Sequence, residues 1–188
     1  MSDVLDLLRR ASTFFDQKVQ QIKDDQWQQP TPCTDWDVMA LVRHMVYENL
    51  WIPPLLNGET VDQVGDRFEG DILGNDPKAA WRDAHAAAMN ALRIPDVVEK
   101  TVYLSRGETR AEEYFWELFM DHLIHGWDLA RGIGADESME PPLVKACYDY
   151  AREREASIRA SGLYGEKQPT PQDADLQTEL LAILGRKV

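Results

Sequence analysis

Apolar residues recur three and four positions apart along most of the chain, which is the spacing of one face of an α-helix. This pattern predicts an amphipathic helix over residues 3–24 and a second helix over residues 35–52. Prolines indicate a loop at residues 27–33, and Thr34 is predicted to cap the second helix through its hydroxyl. The adjacent prolines at 53–54 are predicted to end that helix, because proline cannot donate a backbone hydrogen bond.

The middle of the chain has a less regular pattern. Residues 55–75 are a long connection containing several glycines, which we expect either to cover the mouth of a pocket or to be a solvated crossover. An alanine-rich helix is predicted to open at residues 76–77 and to stop at Pro95, since proline is favoured in the first turn of a helix and not in its interior. Residues 101–104 are predicted to be a short extended segment, closed by a turn at 106–107.

The longest helix is predicted at residues 112–131. Residues 109–112 form a capping-box pattern before it, and the glycines after it are typical of a helix end. Further helices are predicted at residues 141–160 and, as a short terminal helix, at residues 176–184. Four long helices and one long crossover favour an all-α helix bundle, with residues 1–188 as a single domain.

Charge and composition narrow the class of protein. The formal net charge of −13 speaks against nucleic acid or an anionic membrane surface as the main partner, because phosphate binding needs clustered lysine and arginine. No apolar run approaches the roughly 18 residues that span a bilayer, and the acidic, amphipathic N-terminus is unlike a signal peptide. Two cysteines do not make a disulfide framework, so we expect a cytoplasmic protein.

The long helix carries a candidate metal-binding pair. Asp121 and His125 lie four positions apart on one face, which apolar neighbours predict to point inward. His44, on the second helix, can join them if the two helices are neighbours. Two imidazoles and one carboxylate suit zinc with one coordination position open, and they also suit iron, nickel or manganese. The same pattern fits hydrogen-bonded core histidines. His122 is expected to be a packing or surface residue, or a replacement for Asp121 as ligand, and His85 is expected to be structural.

Two carboxylates beside this pair have further candidate roles. Glu48 is one turn beyond His44, and it is either a general base acting on bound water, a partner of a ligand, or a solvated or salt-bridged side chain. Asp128 is three residues past His125, and it either orients that histidine, acts as a helix cap, or pairs with Arg131.

Several blocks of sequence resemble one known family. They read TPCTDWD at 31–37, LVRHMV at 41–46, LGNDP at 73–77, HGWDLA at 125–130 and LLAILGR at 180–186. In that order they resemble the mycothiol-dependent maleylpyruvate isomerase-like proteins of the DinB superfamily.

The resemblance implies a DinB-like four-helix bundle with a long crossover loop and a short C-terminal helix. It also implies a divalent metal held by a histidine of the second helix and by an acid and a histidine of a later one, which are His44, Asp121 and His125 here. This chain departs from the isomerase in two ways. The isomerase looks to use a longer glutamate at the acid position, and it carries a separate C-terminal domain for which this chain is too short. Maleylpyruvate isomerisation is therefore not carried over.

The sequence is compatible with three functions. The leading hypothesis is a transferase or isomerase dependent on a divalent metal, with zinc first among the candidates, that acts on a small-molecule substrate with mycothiol, or a similar low-molecular-weight thiol, bound at the metal. The second is a metal-assisted hydrolase in which Glu48 is the catalytic base. The third is a non-catalytic metal-binding module. Exposed apolar faces on the helices of a bundle are compatible with a homodimer.

Overall fold

The structure is a computed structural model that describes residues 3–33 and 36–188. Its helices are α1 (Val4–Gln21), α2 (Val38–Leu56), α3 (Val61–Val64), α4 (Pro77–Ala91), α5 (Ala111–Ile133), α6 (Pro141–Glu153), α7 (Glu155–Ser161) and α8 (Leu176–Ile183). Strands β1 (Thr101–Leu104) and β2 (Gly107–Arg110) form an antiparallel hairpin between α4 and α5. Residues 97–99 add one turn of 3₁₀ helix before β1.

Four helices form the bundle. Helix α1 packs against α4 and α5, and α2 packs against the same two helices, so that the four make a closed ring. The long crossover between α2 and α4 contains the short α3, and α8 packs on α6 beside the ring. The predicted all-α bundle with a long crossover loop and a short C-terminal helix is confirmed.

Helix α5 is the central element of the fold. Phe115, Phe119, Leu123 and Trp127 are each 0% exposed, and residues on its other faces are buried as well. A helix that is apolar on most of its circumference is stable only when it is surrounded, and here its neighbours are α1, α2 and α6. Gly134 ends the helix in the left-handed conformation, at φ +67°.

The second helix differs from its prediction at both ends. Thr34, the predicted cap, lies outside the described residues, and the cap of α2 is Asp37, whose Oδ1 accepts from the Ala40 amide at 2.8 Å. The helix also continues through Pro53 and Pro54 to Leu56. The prolines are tolerated because their fixed φ is a helical value. They also lie in the last turn, so little of the helix follows them that a kink could disturb.

The predicted capping box at the start of α5 is wrong. Thr109 belongs to β2, and its hydroxyl donates to the Gly107 carbonyl at 3.3 Å. The cap position is Arg110, which makes no side-chain capping bond. The hairpin satisfies the first helical amide instead, because the amide of Ala111 donates to the Lys100 carbonyl at 2.8 Å.

The helix predicted over residues 141–160 is divided. Arg154, at φ −111° and ψ 13°, leaves the helical region and separates α6 from α7. The short terminal helix is present as α8, and the connection from Gly162 folds back toward it. Across residues 3–33 and 36–188, no helix is both long enough and apolar enough to cross a membrane.

Candidate metal centre

The packing of α2 against α5 brings three predicted ligands together. Nε2 of His44 lies 3.1 Å from Oδ2 of Asp121, and Nε2 of His125 lies 3.2 Å from Oδ1 of the same carboxylate. One donor atom from each side chain lies within 4.8 Å of the other two. His125 is buried, whereas His44 and Asp121 are partly exposed, so the cluster has one face toward solvent.

A second carboxylate fixes the buried histidine. Oδ2 of Asp128 lies 3.0 Å from Nδ1 of His125, and Asp128 is 0% exposed. Of the roles considered for Asp128, the structure has the one that orients His125, and Asp128 lies within α5 and not at its end. Arg131 pairs with Glu137 instead, at 2.7 Å.

An arginine that sequence reasoning overlooked completes this arrangement. Nη2 of Arg186 lies 2.7 Å from Oδ2 of Asp128, and Nε lies 3.2 Å from Oδ1. The two residues are 58 positions apart, so no local spacing connects them. A basic residue at the end of an apolar terminal segment was the signal available in the sequence.

Trp36 supports the two histidines from one side. Its ring centroid lies 4.6 Å from that of His44 and 5.6 Å from that of His125. The two imidazoles meet edge to face, with centroids 5.1 Å apart. Aromatic packing therefore limits the rotation of both rings, in addition to the hydrogen bonds.

Opposite charges set the protonation of the cluster. Burial by itself raises the pKa of Asp121, but His125 and then His44 hold it well below its usual value. Burial lowers the pKa of His125, but Asp121 and Asp128 outweigh it and raise that pKa to about 9. A metal ion bound through His125 would therefore have to displace a proton, and its binding would strengthen as pH rises.

Two members of the cluster, His44 and Asp121, lie in the wall of a cavity of about 480 Å³. The residues that line it include His44, Glu48, Arg106, Tyr114, Glu117, Leu118, Met120, Asp121, Tyr150, Arg154, Ser157, Ile158, Ser161, Leu163 and Tyr164. Residues 55–75 do not line it, so their predicted alternative role as a solvated crossover is the one that fits. The segment after α6 forms the other wall, which the sequence did not indicate.

Glu48 also lines the cavity, and its pKa lies close to neutral pH. Burial, followed by repulsion from Asp121, raises the pKa of Glu48 to about 7, although His44 and His125 act in the opposite sense. A carboxylate with this pKa both accepts and donates a proton near neutral pH. This property suits a general base, which is one of the three roles considered for this position.

The other two histidines have structural partners. Nδ1 of His122 lies 2.8 Å from the Leu118 carbonyl and Nε2 lies 3.3 Å from the Asn49 side-chain nitrogen. Both ring nitrogens therefore have partners within the core. Burial lowers the pKa of His122 to about 4. His85 stacks on Trp81 at 5.2 Å and contacts the Ser12 hydroxyl through Nδ1. Neither belongs to the three-residue cluster.

The donor set fits a divalent ion. Ligand atoms at about 2.0–2.2 Å in a tetrahedral zinc site lie roughly 3.3–3.6 Å from one another. One donor atom from each side chain lies within 4.8 Å of the other two, and the imidazoles approach different oxygens of Asp121 at 3.1 and 3.2 Å, so the side chains must close in slightly to reach this spacing. Nδ1 of His125 is engaged by Asp128, so its Nε2 is the nitrogen available as a ligand.

The ring of helices and its inward-facing histidine–aspartate–histidine cluster define a DinB-like helix bundle. Residues 8–130 match the family model described as the mycothiol maleylpyruvate isomerase N-terminal domain. The chain belongs to this family.

The chain is also similar to individual proteins and to solved structures. Uncharacterized proteins from two strains of Mycobacterium tuberculosis are each 27% identical over 193 residues, which covers 96% of this chain and 96% of the relative. The crystal structure of the mycothiol-dependent maleylpyruvate isomerase is similar, with a TM-score of 0.63 at 16% identity over 87% of this chain and 72% of that one. A histidine-to-alanine variant of that isomerase gives a TM-score of 0.65 at 15% identity, with the same coverage. At these identities the solved structures establish the fold.

Proposed function

We propose that this protein is a metal-dependent transferase or isomerase that uses a low-molecular-weight thiol. In this proposal His44, Asp121 and His125 hold a divalent ion, most suitably zinc, and residues 1–188 act as one helix-bundle domain. The observation that carries it is the convergence of these three side chains, two of which, His44 and Asp121, line a cavity large enough for a small molecule. Mycothiol is the proposed thiol, because the matching family and the similar solved structures are described by it.

A bound divalent ion would supply the positive charge that favours the thiolate form of a thiol in the cavity. Glu48 takes the proton that the thiol releases, since its pKa of about 7 lets its carboxylate act as base and then as acid. Leu118, Met120 and Ile158 give the cavity an apolar wall that limits water around the reacting groups. Tyr114 also lines the cavity, and burial raises its pKa well above the usual value, so its hydroxyl stays a hydrogen-bond donor.

Metal content is the first test. Protein purified without an affinity tag should contain a stoichiometric divalent ion by elemental analysis, and His44→Ala should lose most of it. His85→Ala is the matched control, because His85 is also a partly buried histidine of the bundle but lies outside the cluster. Wild-type protein that neither contains metal nor gains stability with added zinc or nickel would refute the metal centre.

Thiol dependence is the second test. Metal-loaded protein is incubated with mycothiol and a panel of small electrophiles and isomerisable acids that includes maleylpyruvate. Turnover should require both the thiol and the metal. Equal turnover with and without thiol would exclude the proposed use of the thiol while leaving the metal centre in place.

Metal-assisted hydrolysis is a second candidate, and the raised pKa of Glu48 favours it. A base of this acidity beside a metal centre is suited to activating water. Turnover of esters or amides without thiol, lost in Glu48→Gln, would select this function. A protein that binds metal but turns over neither panel would instead fit a non-catalytic metal-binding module.

A further inference from the structure

Arg186 and Asp128 form a buried ion pair beside the candidate metal centre. Arg186 is 7% exposed and Asp128 is 0% exposed, and the guanidinium approaches both carboxylate oxygens, at 2.7 and 3.2 Å. Nη1 of the arginine also donates to the Leu184 carbonyl at 2.8 Å. Burying two charges costs desolvation free energy that their mutual attraction often fails to offset. A buried ion pair is therefore better explained by a specific role than by its contribution to stability.

The same carboxylate contacts the imidazole of His125. Oδ2 of Asp128 receives both Nη2 of Arg186, at 2.7 Å, and Nδ1 of His125, at 3.0 Å. With Nδ1 donating to Asp128, Nε2 is the nitrogen that faces Asp121, at 3.2 Å. The chain of contacts therefore runs from the C-terminal segment to a proposed ligand atom.

We infer that Arg186 is a positioning residue for the metal centre, acting through Asp128 to fix the ring and tautomer of His125. This inference rests on the proposed function, since it assigns a role toward the proposed ion. It places a determinant of the centre in the last residues of the chain, outside the segment that matches the family model. Neither Arg186 nor Asp128 lines the cavity, so the role is exerted on the ligand and not on the substrate.

The geometry calls for arginine in particular. A planar guanidinium offers two parallel N–H groups to one carboxylate, which sets the plane of Asp128 as well as neutralising its charge. A lysine would supply the charge at a single point. Without either, Asp128 keeps only the His125 contact among the side-chain bonds described above, and both side chains gain freedom to rotate.

Zinc affinity measured by competition with a chromogenic chelator tests the inference without needing a substrate. Loss of such an outer partner of a ligand weakens metal binding roughly 10–100-fold, and this is the expected loss in Arg186→Gln, with a smaller loss in Arg186→Lys. Arg131→Gln is the matched control, because Arg131 also holds the C-terminal segment, through the Lys187 carbonyl at 2.8 Å, and pairs with Glu137. Its zinc affinity should equal that of the wild type.

A double variant identifies the route. Arg186→Gln combined with Asp128→Asn should bind zinc about as weakly as the weaker single variant, because the arginine acts through Asp128. The inference would be overturned, with the metal centre left in place, by either of two results. One is a double variant whose loss of zinc affinity equals the sum of the two single losses, and the other is an unchanged zinc affinity in Arg186→Gln. Wild-type protein that binds no zinc would overturn the proposed function and this inference with it. Circular dichroism checks folding, and Arg186→Lys carries the test if Arg186→Gln does not fold.

Discussion

The stability of the metal-free protein should fall as pH rises from 7 to 9. Asp121 and Asp128 outweigh the effect of burial and raise the pKa of His125 to about 9, whereas an unfolded histidine titrates near 6.5. Above pH 6.5 the folded state therefore keeps a proton that the unfolded state releases. The contribution of this proton to stability is complete below pH 6.5 and is lost as pH passes through 9.

The size of the effect follows from the same shift. At 1.36 kcal/mol per pKa unit, the free energy of unfolding should fall by about 2 kcal/mol between pH 7 and pH 9. Guanidinium chloride denaturation at pH 7, 8 and 9, with a chelator present and tryptophan fluorescence as the signal, measures it. Because the ionisation of Glu48 also lowers stability near pH 7, the series is repeated in Glu48→Gln to isolate the histidine.

One variant tests the cause of this pH dependence. Asp121→Asn removes the strongest of the charges that raise the pKa of His125, so it should flatten the profile by more than half. His85→Ala should leave the slope unchanged, because burial places the pKa of His85 below its ordinary value and outside this range. A wild-type profile that is flat or rising, or an Asp121→Asn profile as steep as that of the wild type, would refute the charge arrangement.

Three further changes have defined outcomes. Glu48→Gln should lower thiol-dependent turnover by about 10²–10⁴-fold with unchanged metal content, since only proton transfer is removed, and unchanged turnover would exclude Glu48 as the base. Asp37→Ala should cost about 1 kcal/mol in denaturant unfolding, because it removes the bond to the Ala40 amide that caps α2, while Asp37→Asn should cost less. Equal stability of Asp37→Ala and wild type would contradict the role of this cap. Leu123→Ala, at a fully buried site, should cost about 2–5 kcal/mol by the same measurement, and a cost near zero would contradict the packing around α5.

Local features of this chain were predictable because they depend on residues close in sequence. The helical spacing predicted α1, α4, α5 and α8, and the four-residue spacing of Asp121 and His125 places both on one face of α5. His44 comes from another helix, so its place beside them depended on how helices pack, and the family resemblance supplied that information. Glycine at the end of α5 was equally readable, because few other residues adopt the left-handed conformation of Gly134.

Features that depend on contacts between distant segments were missed. The capping box at Thr109 failed because the Lys100 carbonyl already serves the first amide of α5, which is a property of the hairpin and not of the four-residue pattern. The role of Arg186 was hidden for the same reason, since its partner lies 58 residues earlier in the chain. Arg154 divides a helix whose sequence reads as continuous, so that the second part lines the cavity.

The short side chain of Asp121 bears on how this site differs from one built on glutamate. Its two oxygens contact one imidazole each, at 3.1 and 3.2 Å, so reach is not limiting here. Both imidazoles are held close to the carboxylate, because Trp36 packs against the His44 ring and Asp128 bonds to the His125 ring. A longer acid would reach the imidazoles through its own length. Here the packing of α2 on α5 and the partners of the histidines bring the imidazoles within reach of the shorter acid. Affinity for a metal should therefore depend on those partners as well as on the acid, which is why we assign Arg186, remote in sequence, a place in the site.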